Sequence, residues 1–377
     1  MTDDANTPEK PALKDASTNP WYVLMTVAGE QPDEGRPWAY DEDLHARNRR
    51  YFNGWMAQSL SEGAKQKLIA EERATAEDLA DLTDEETAAI AQAFAYRCPN
   101  AEPLDATHPR CSLKGIESTA RVVCVGFVFS GVANFRDATF SRYADFSDAT
   151  FSGDADFSDA KFKSKTVFAN VTFQPPRASP PQFYNAELHE DTSWERITTW
   201  PLPGPGHDAS DFVRAYEKLK LLMDDKNKLY SEHMFHRLEL QSRQIAEPNT
   251  LATRASRLFG WVSDYGWSIS RPATGLFVLA LFGWMVIFLN QALTYGADVI
   301  CKTVDGQTVP GALMPLESVK LSISNIFGFL GFARTFMRDT LGCLTPLSEI
   351  VSMAQSFLGV IFLFLMVLAL RNRFRIK

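Results

Sequence analysis

The stretch GVANFRDATFSRYADFSDATFSGDADFSDAKFKSKTVFANVTF, Gly131–Phe173, decides the fold. Phenylalanine stands at Phe135, Phe140, Phe146, Phe151, Phe157, Phe162, Phe168 and Phe173, in steps that alternate between five and six. An alanine lies two residues before each of the first six: Ala133, Ala138, Ala144, Ala149, Ala155 and Ala160. The lattice extends back to Phe129 and Cys124. Beyond the Pro-rich QPPRASPPQ it continues to Phe183, Ala186 and Leu188. A helix would scatter such positions around its circumference, and a flat strand would put odd-spaced residues on opposite faces. A chain that turns a corner at every unit instead sends each Ala and Phe inward and leaves Asp, Ser, Arg and Lys facing water. Four units make a coil of about 22 residues, stacked on the next at about 4.8 Å, so Cys124 to Leu188 forms roughly three coils of a solenoid.

The Ala-Asp/Asn-Phe triplets at 133–135, 144–146 and 155–157 interleave with Ala-Thr/Lys-Phe at 138–140, 149–151 and 160–162. In this the chain resembles the pentapeptide-repeat proteins. The resemblance implies a right-handed quadrilateral β-helix, placed here over residues 116–200. The six-residue units depart from a strict repeat of five and imply looser corners.

Flanking segments read differently. Residues 1–20 lack an apolar signal-peptide core, begin with acids and read as a disordered cytoplasmic tail. Residues 21–115 read as a mostly helical, acidic region with aromatic clusters (Trp21, Tyr22, Trp38, Tyr40, Tyr51, Phe52, Trp55). A helix over Thr75–Tyr96 is expected to bury Leu79, Leu82, Ile90 and Phe94. After a terminating LHEDTSWE, residues 201–209 form a Pro/Gly linker. Residues 210–250 suit a helical hairpin: Ser210 caps it, Phe212, Tyr216, Leu219, Leu222 and Met223 share one face, and Phe235 and Leu238 oppose them.

Residues 251–377 read as a membrane domain. Mean hydropathy over all 377 residues is −0.17, which hides two apolar runs. One covers the 26 uncharged residues between Arg271 and Asp298, the other the 21 between Glu349 and Arg371; both suit spans, at about 273–295 and 350–370. Arg271 before the first, and Arg371, Arg373, Arg375 and Lys377 after the second, set both termini in the cytoplasm by the positive-inside rule. Between the spans, Leu316, Val319, Ile323, Ile326, Phe327 and Leu330 recur at helical spacing. That segment could lie on the outer leaflet, re-enter the bilayer or fold as a plain loop, with the surface-lying arrangement expected first. An extracytoplasmic loop would also allow Cys301 and Cys343 to pair. With the terminal ALRNRFRIK, the arrangement resembles a bacterial group of membrane-anchored pentapeptide-repeat proteins, which implies the cell inner membrane.

Charge and motifs exclude more than they assign. Residues 1–100 carry 19 acidic against 10 basic side chains, so the net charge of −8 belongs to the front, a poor surface for nucleic acid. The repeat, with six Asp against five Lys and Arg, is too balanced to mimic DNA. Cys98, His108 and Cys111 lack zinc spacing, and Glu232, His233, His236 and Glu239 match no metal motif and read as a solvated helix face. Phosphate-loop, dinucleotide and nucleophile-elbow motifs are lacking. The reading is therefore a protein without catalytic, cofactor or metal residues: a membrane-tethered scaffold for an unknown protein partner, able to form a homo-oligomer. The alternative is an oligomeric ion channel built from the two spans and the segment between them.

Overall fold

Corners explain the alternation of five and six. Gly115, Gly126, Asp137, Asp148, Asp159 and Asn170, eleven apart, all have φ between 53° and 69°. Each is the third residue of a four-residue turn, as where Ala138 N–H donates to Phe135 O and Ala149 N–H to Phe146 O. Type II turns need a left-handed residue at that place, and Gly, Asn and Asp supply it most readily. The five-residue step therefore takes a tight corner with a left-handed Asp. The six-residue step takes a wider one, such as Ser141–Arg142–Tyr143, in which no residue has positive φ.

The computed structural model describes residues 12–33, 36, 39–173, 179–194, 200–204, 208–296, 299–304, 307–309, 311–328 and 338–374. They fall into two units, Met1–Pro248 and Asn249–Lys377.

In the first unit β1 is Lys14–Asp15, followed by α1 (Pro20–Met25), α2 (Glu42–Met56), α3 (Glu62–Ala70) and α4 (Asp84–Arg97). The repeat strands are β2 (Arg110–Ser112), β3 (Ile116–Ser118), β4 (Val122–Val123), β5 (Val128–Phe129), β6 (Val132–Asn134), β7 (Thr139–Phe140) and β8 (Ala144–Asp145). They continue with β9 (Thr150–Phe151), β10 (Ala155–Asp156), β11 (Lys161–Phe162), β12 (Thr166–Val167) and β13 (Thr172–Phe173). All stack in parallel as four ladders, β1-β3-β7-β11, β2-β6-β10, β4-β8-β12 and β5-β9-β13. Register advances by 22 residues per coil, pairing Cys111 with Ala133 and Ala133 with Ala155. It lengthens to 26 across the Pro-rich segment, where Lys161 pairs with Glu187 and Val167 with Ser193.

Two boundaries differ from the sequence reading. The solenoid begins at Arg110, because Cys111, Leu113 and Ile116, all buried, take the inward places that Ala and Phe hold later. The tail is in register by Lys14, since β1 pairs with Ile116–Glu117. Residues 1–11 lie outside the described residues.

An open coil would present unpaired backbone groups and invite edge-to-edge association. Here the chain closes its own first edge on all four ladders. β1 covers β3; Asn19 Nδ2 donates to Ser112 O at 3.0 Å; Gln31 bridges to Arg121 beside β4. Beside β5, Asn53 of α2 donates Nδ2 to Gly126 O at 3.0 Å and accepts from Val128 N–H at 2.8 Å, while His45 Nε2 donates to Val125 O at 2.9 Å. Phe52 stacks on Phe127 at 4.6 Å, sealing the bore. At the far end Trp194 stacks on Phe168 at 4.5 Å, and Trp200 meets Phe173 at 5.2 Å.

The N-terminal helix expected from Thr75 begins at Asp84 instead. Thr83 and Glu86 form a capping box, and Thr75 Oγ1 is committed to Asp78 at 2.7 Å in a preceding turn. Leu79 is still buried, against Ala57, Leu68 and Val128. The hairpin helices are α5 (Ala209–Asp225) and α6 (Leu229–Ala246). Asp208, not Ser210, is the cap, because its carboxylate accepts Ser210 N–H at 2.9 Å. Phe212, Tyr216, Leu219, Met223, Phe235 and Leu238 are buried as expected and join Trp194 and Trp200 in one core.

In the second unit come α7 (Leu251–Ser263), α8 (Ser270–Tyr295), β14 (Lys302–Val304), β15 (Gln307–Val309), α9 (Pro315–Ile326), a short α10 (Arg338–Leu341) and α11 (Pro346–Phe374). Helices α8 and α11, of 26 and 29 residues, are long and apolar enough to cross a membrane.

Replacing Asn53 with Ala strands a carbonyl and an N–H at a buried edge and is expected to cost about 1–3 kcal/mol. Exposed Tyr96→Ser, the control, should stay within about 0.5 kcal/mol. Denaturant midpoints decide: equal midpoints for both variants contradict the edge-closing role.

Candidate functional site

All fifteen repeat-core residues read from the sequence point into the bore. Phe129, Ala133, Phe135, Ala138, Phe140, Ala144, Phe146, Ala149, Phe151, Ala155, Phe157, Ala160, Phe162, Phe168 and Phe173 are each at most 5% exposed. Their rings form columns one coil apart: Phe129–Phe151–Phe173 at 4.7 and 5.3 Å, Phe135–Phe157–Phe183 at 4.6 and 4.7 Å, Phe140–Phe162 at 5.0 Å, and Phe146–Phe168 at 5.2 Å. A bore so filled holds no ligand. Whatever the solenoid binds must meet its outside.

The outside is not uniform. On the β5-β9-β13 wall, Val128 is buried under Leu68 and Leu79, and Arg73 Nη1 donates to Asn170 O at 2.8 Å. On the β4-β8-β12 wall, Asp33 bridges Arg121 and Arg142 at 3.6 and 2.8 Å, and Tyr143 Oη donates to Asp145 at 2.6 Å. By contrast the β3-β7-β11 wall carries a ladder of partly exposed charges. Glu117 accepts from Ser141 at 3.2 Å and pairs with Lys163 at 3.5 Å; Lys161 pairs with Glu187. This wall, like the β2-β6-β10 wall with its exposed Arg110, Val132 and Asp154, presents side chains to the outside.

The residues weighed as metal candidates are otherwise engaged. Cys98 and Cys111 are buried thiols, while His108 is exposed beside Thr107 and Asp105. Glu239 is not on a solvated face: it is 4% exposed and joins Lys220 of α5 at 2.6 Å, Arg243 at 2.9 Å and His236 at 3.6 Å. Burial raises its pKa, but the nearby His236 and the hydrogen bonds from Lys220 and Arg243 prevail and bring it from 4.5 down to about 2. Among the described residues His189, Glu190 and Asp191 also bring their ligand-type atoms within 4.8 Å, with His189 partly buried and the two carboxylates exposed.

The second unit holds what sequence reasoning missed. Helix α9 packs between α8 and α11, burying Ser318, Leu321, Ser322, Asn325 and Ile326 and leaving Leu316 and Ile323 exposed. Ser322 Oγ donates to Ala280 O at 2.7 Å. Gln355 Nε2 donates to Leu279 O at 2.9 Å and to Ser322 at 2.7 Å, and Asn325 donates to Gln355 Oε1 at 3.3 Å. Ala280 lies ten residues into α8, about 15 Å along its axis, half the thickness of a bilayer core. Helix α9 is thus packed against the middle of α8 and against α11 through its polar side chains. In hydrocarbon, polar groups must bond within the protein, so an amphipathic helix there turns its polar face in and its apolar face out. Nearer the loop Gln291 donates to Cys343 O at 3.2 Å, Ser348 to Asn290 at 3.1 Å, and Cys301 and Cys343 form a disulfide. Leu330 lies outside the described residues.

Of the cations expected to set the topology, Arg271 sits in the first turn of α8, its Nη1 donating to Gly260 O at 3.0 Å. Arg371 and Arg373 occupy the last turn of α11, where cations suit the helix dipole. Arg375 and Lys377 lie outside the described residues.

A closed apolar bore wrapped by 22-residue parallel coils defines a β-solenoid repeat protein. A family model described as "Pentapeptide repeats (9 copies)" matches residues 125–161 and 135–198, so this part of the chain is a pentapeptide-repeat segment. The match starts within the first coil, past its inward residues Cys111, Leu113 and Ile116, which stand where later coils have Ala and Phe. No curated protein and no solved structure matches the chain.

Two expectations follow. Because the folded Glu239 carboxyl has a lower pKa than the unfolded one, its stabilisation is complete above about pH 4.5 and lost as pH falls toward 2. Glu239→Gln should flatten the acid limb of a stability–pH curve in that window; an unchanged limb contradicts the network. A Cβ at Gly283 would lie 1.8 Å from Gln355 Nε2. Gly283→Ala should therefore lower the melting temperature of the detergent-solubilised protein, and adding Gln355→Ala should recover part of the loss.

Proposed function

We propose that this protein is a non-enzymatic scaffold of the bacterial inner membrane, anchored by α8 and α11 as spans. Its right-handed, four-sided pentapeptide-repeat coil presents the β3-β7-β11 wall to a protein partner in the cytoplasm. The observation that carries the reading is the closure of both solenoid ends by the protein's own side chains together with one wall left as a charge ladder. Right-handedness is the rule for parallel β-crossovers. Three features support the two-pass topology with both termini cytoplasmic. Basic residues flank the outer ends of the spans, the loop between them carries the Cys301–Cys343 disulfide, and Cys98, Cys111 and Cys124 of the first unit are free thiols. Disulfides persist in oxidising compartments and are rare in the cytosol.

A second reading, an oligomeric pore, is favoured by α9, since a re-entrant helix between two spans is a feature of channels. Against it, the polar groups of Ser322, Asn325 and Gln355 bond to one another within a single chain instead of lining a passage.

Photocrosslinking in intact cells tests the scaffold. A photoreactive amino acid at Lys163 is expected to give an adduct of one discrete mass, absent when it replaces Tyr96. Equal labelling at both sites contradicts the assigned wall. In spheroplasts, an impermeant maleimide should label Cys301 and Cys343 only after reduction and should never reach a cysteine placed at Lys163; labelling there reverses the topology.

A further inference from the structure

A groove of about 730 Å³ lies between α7 and α8, in the size range of small-ligand sites, and its lining is mostly apolar. Trp261 and Val262 form one side, Val278 and Phe282 the other, and Phe362 of α11 the floor. Gly275 makes that floor possible, because a Cβ there would lie 2.4 Å from the Phe362 ring. Arg271 lines the groove at the start of α8, its side chain half exposed. Its Nη1 is held by Gly260 O at 3.0 Å and lies 3.9 Å from Asp264, which fixes the guanidinium at the groove and leaves donors for a ligand. Helix α7 exposes Leu251, Leu258 and Trp261 on one face, with Arg254 and Arg257 beside them. An apolar face edged with Arg and carrying Trp is the pattern of a helix lying in a membrane interface.

We infer that this groove holds one anionic phospholipid of the cytoplasmic leaflet. Its phosphate sits on Arg271 and one acyl chain runs along Val278 and Phe282 toward Phe362. The occupant follows from the chemistry present: a fixed cation at headgroup depth opens onto an apolar channel running along a span, and a free phosphate would leave that channel empty. The inference rests on the reading of α8 as a span, and its test separates the two.

Native mass spectrometry of the full chain, released from micelles containing either phosphatidylglycerol or phosphatidylcholine of the same acyl length, reads the site. One retained phosphatidylglycerol per chain is expected, preferred about fivefold over phosphatidylcholine, as one surface cation provides. Arg271→Gln should abolish the preference and Arg271→Lys should keep it. Val278→Trp, a change at an exposed position that fills the groove, should remove the bound lipid while leaving the Cys301–Cys343 disulfide formed. Equal retention of both lipids by the wild type, or adducts untouched by Arg271→Gln and Val278→Trp, overturns the site and leaves the span standing. Displacement of the lipid by inorganic phosphate alone overturns it as well. A chain that stays in solution without detergent overturns both site and span.

Discussion

Face-to-face stacking of phenylalanines across successive coils is the constraint from which the rest follows. A ring seated 4.6 to 5.3 Å from its equivalent one coil away fixes both the rise and the register of the coil. Alanine two residues earlier leaves room for the neighbouring ring, and neighbouring columns meet edge-on, as Phe146 meets Phe157 at 83°. Such a core grows by addition along one axis and has no natural end. Each terminus must therefore be closed by something that satisfies backbone as well as covering rings, and the chain spends its first hundred residues and the hairpin on that task. The outcome is a solenoid whose two ends are covered by the protein's own side chains.

Legibility followed distance along the chain. Strictly periodic features were readable: the Phe lattice, the hairpin face from Phe212 to Met223, and two apolar runs matching α8 and α11. The first coil was hidden because Cys111, Leu113 and Ile116 keep the shape of the repeat without its letters. His45 and Asn53 gave no local signal, since they act on Val125, Gly126 and Val128 more than seventy residues away. Locally, Ser210 resembles a cap as well as Asp208 does, and only the observed carboxylate bond separates them. Helix α9 was left with three readings for a deeper reason. An amphipathic pattern states that two faces differ, not which solvent each meets, and between two spans the usual assignment inverts.

The two units also divide the cysteines by chemistry. Burial raises the Cys111 and Cys124 thiols well above their ordinary pKa, which keeps them protonated and inert inside the coil. Cys301 and Cys343, 42 residues apart, tie the beginning and end of the segment between α8 and α11 across α9. A constraint there limits how far α9 can leave its polar contacts with Gln355, so the disulfide and the buried hydrogen bonds restrain the same element.

The most direct measurement is the distance between two nitroxide labels on Ser141 and Lys163, 22 residues apart, by spin–spin broadening in the full chain. Stacked coils put their backbones about 5 Å apart, so strong dipolar broadening is expected; a helix of the same length would separate them by about 33 Å. Spectra with the narrow lines of isolated labels would contradict the phenylalanine-stacked solenoid.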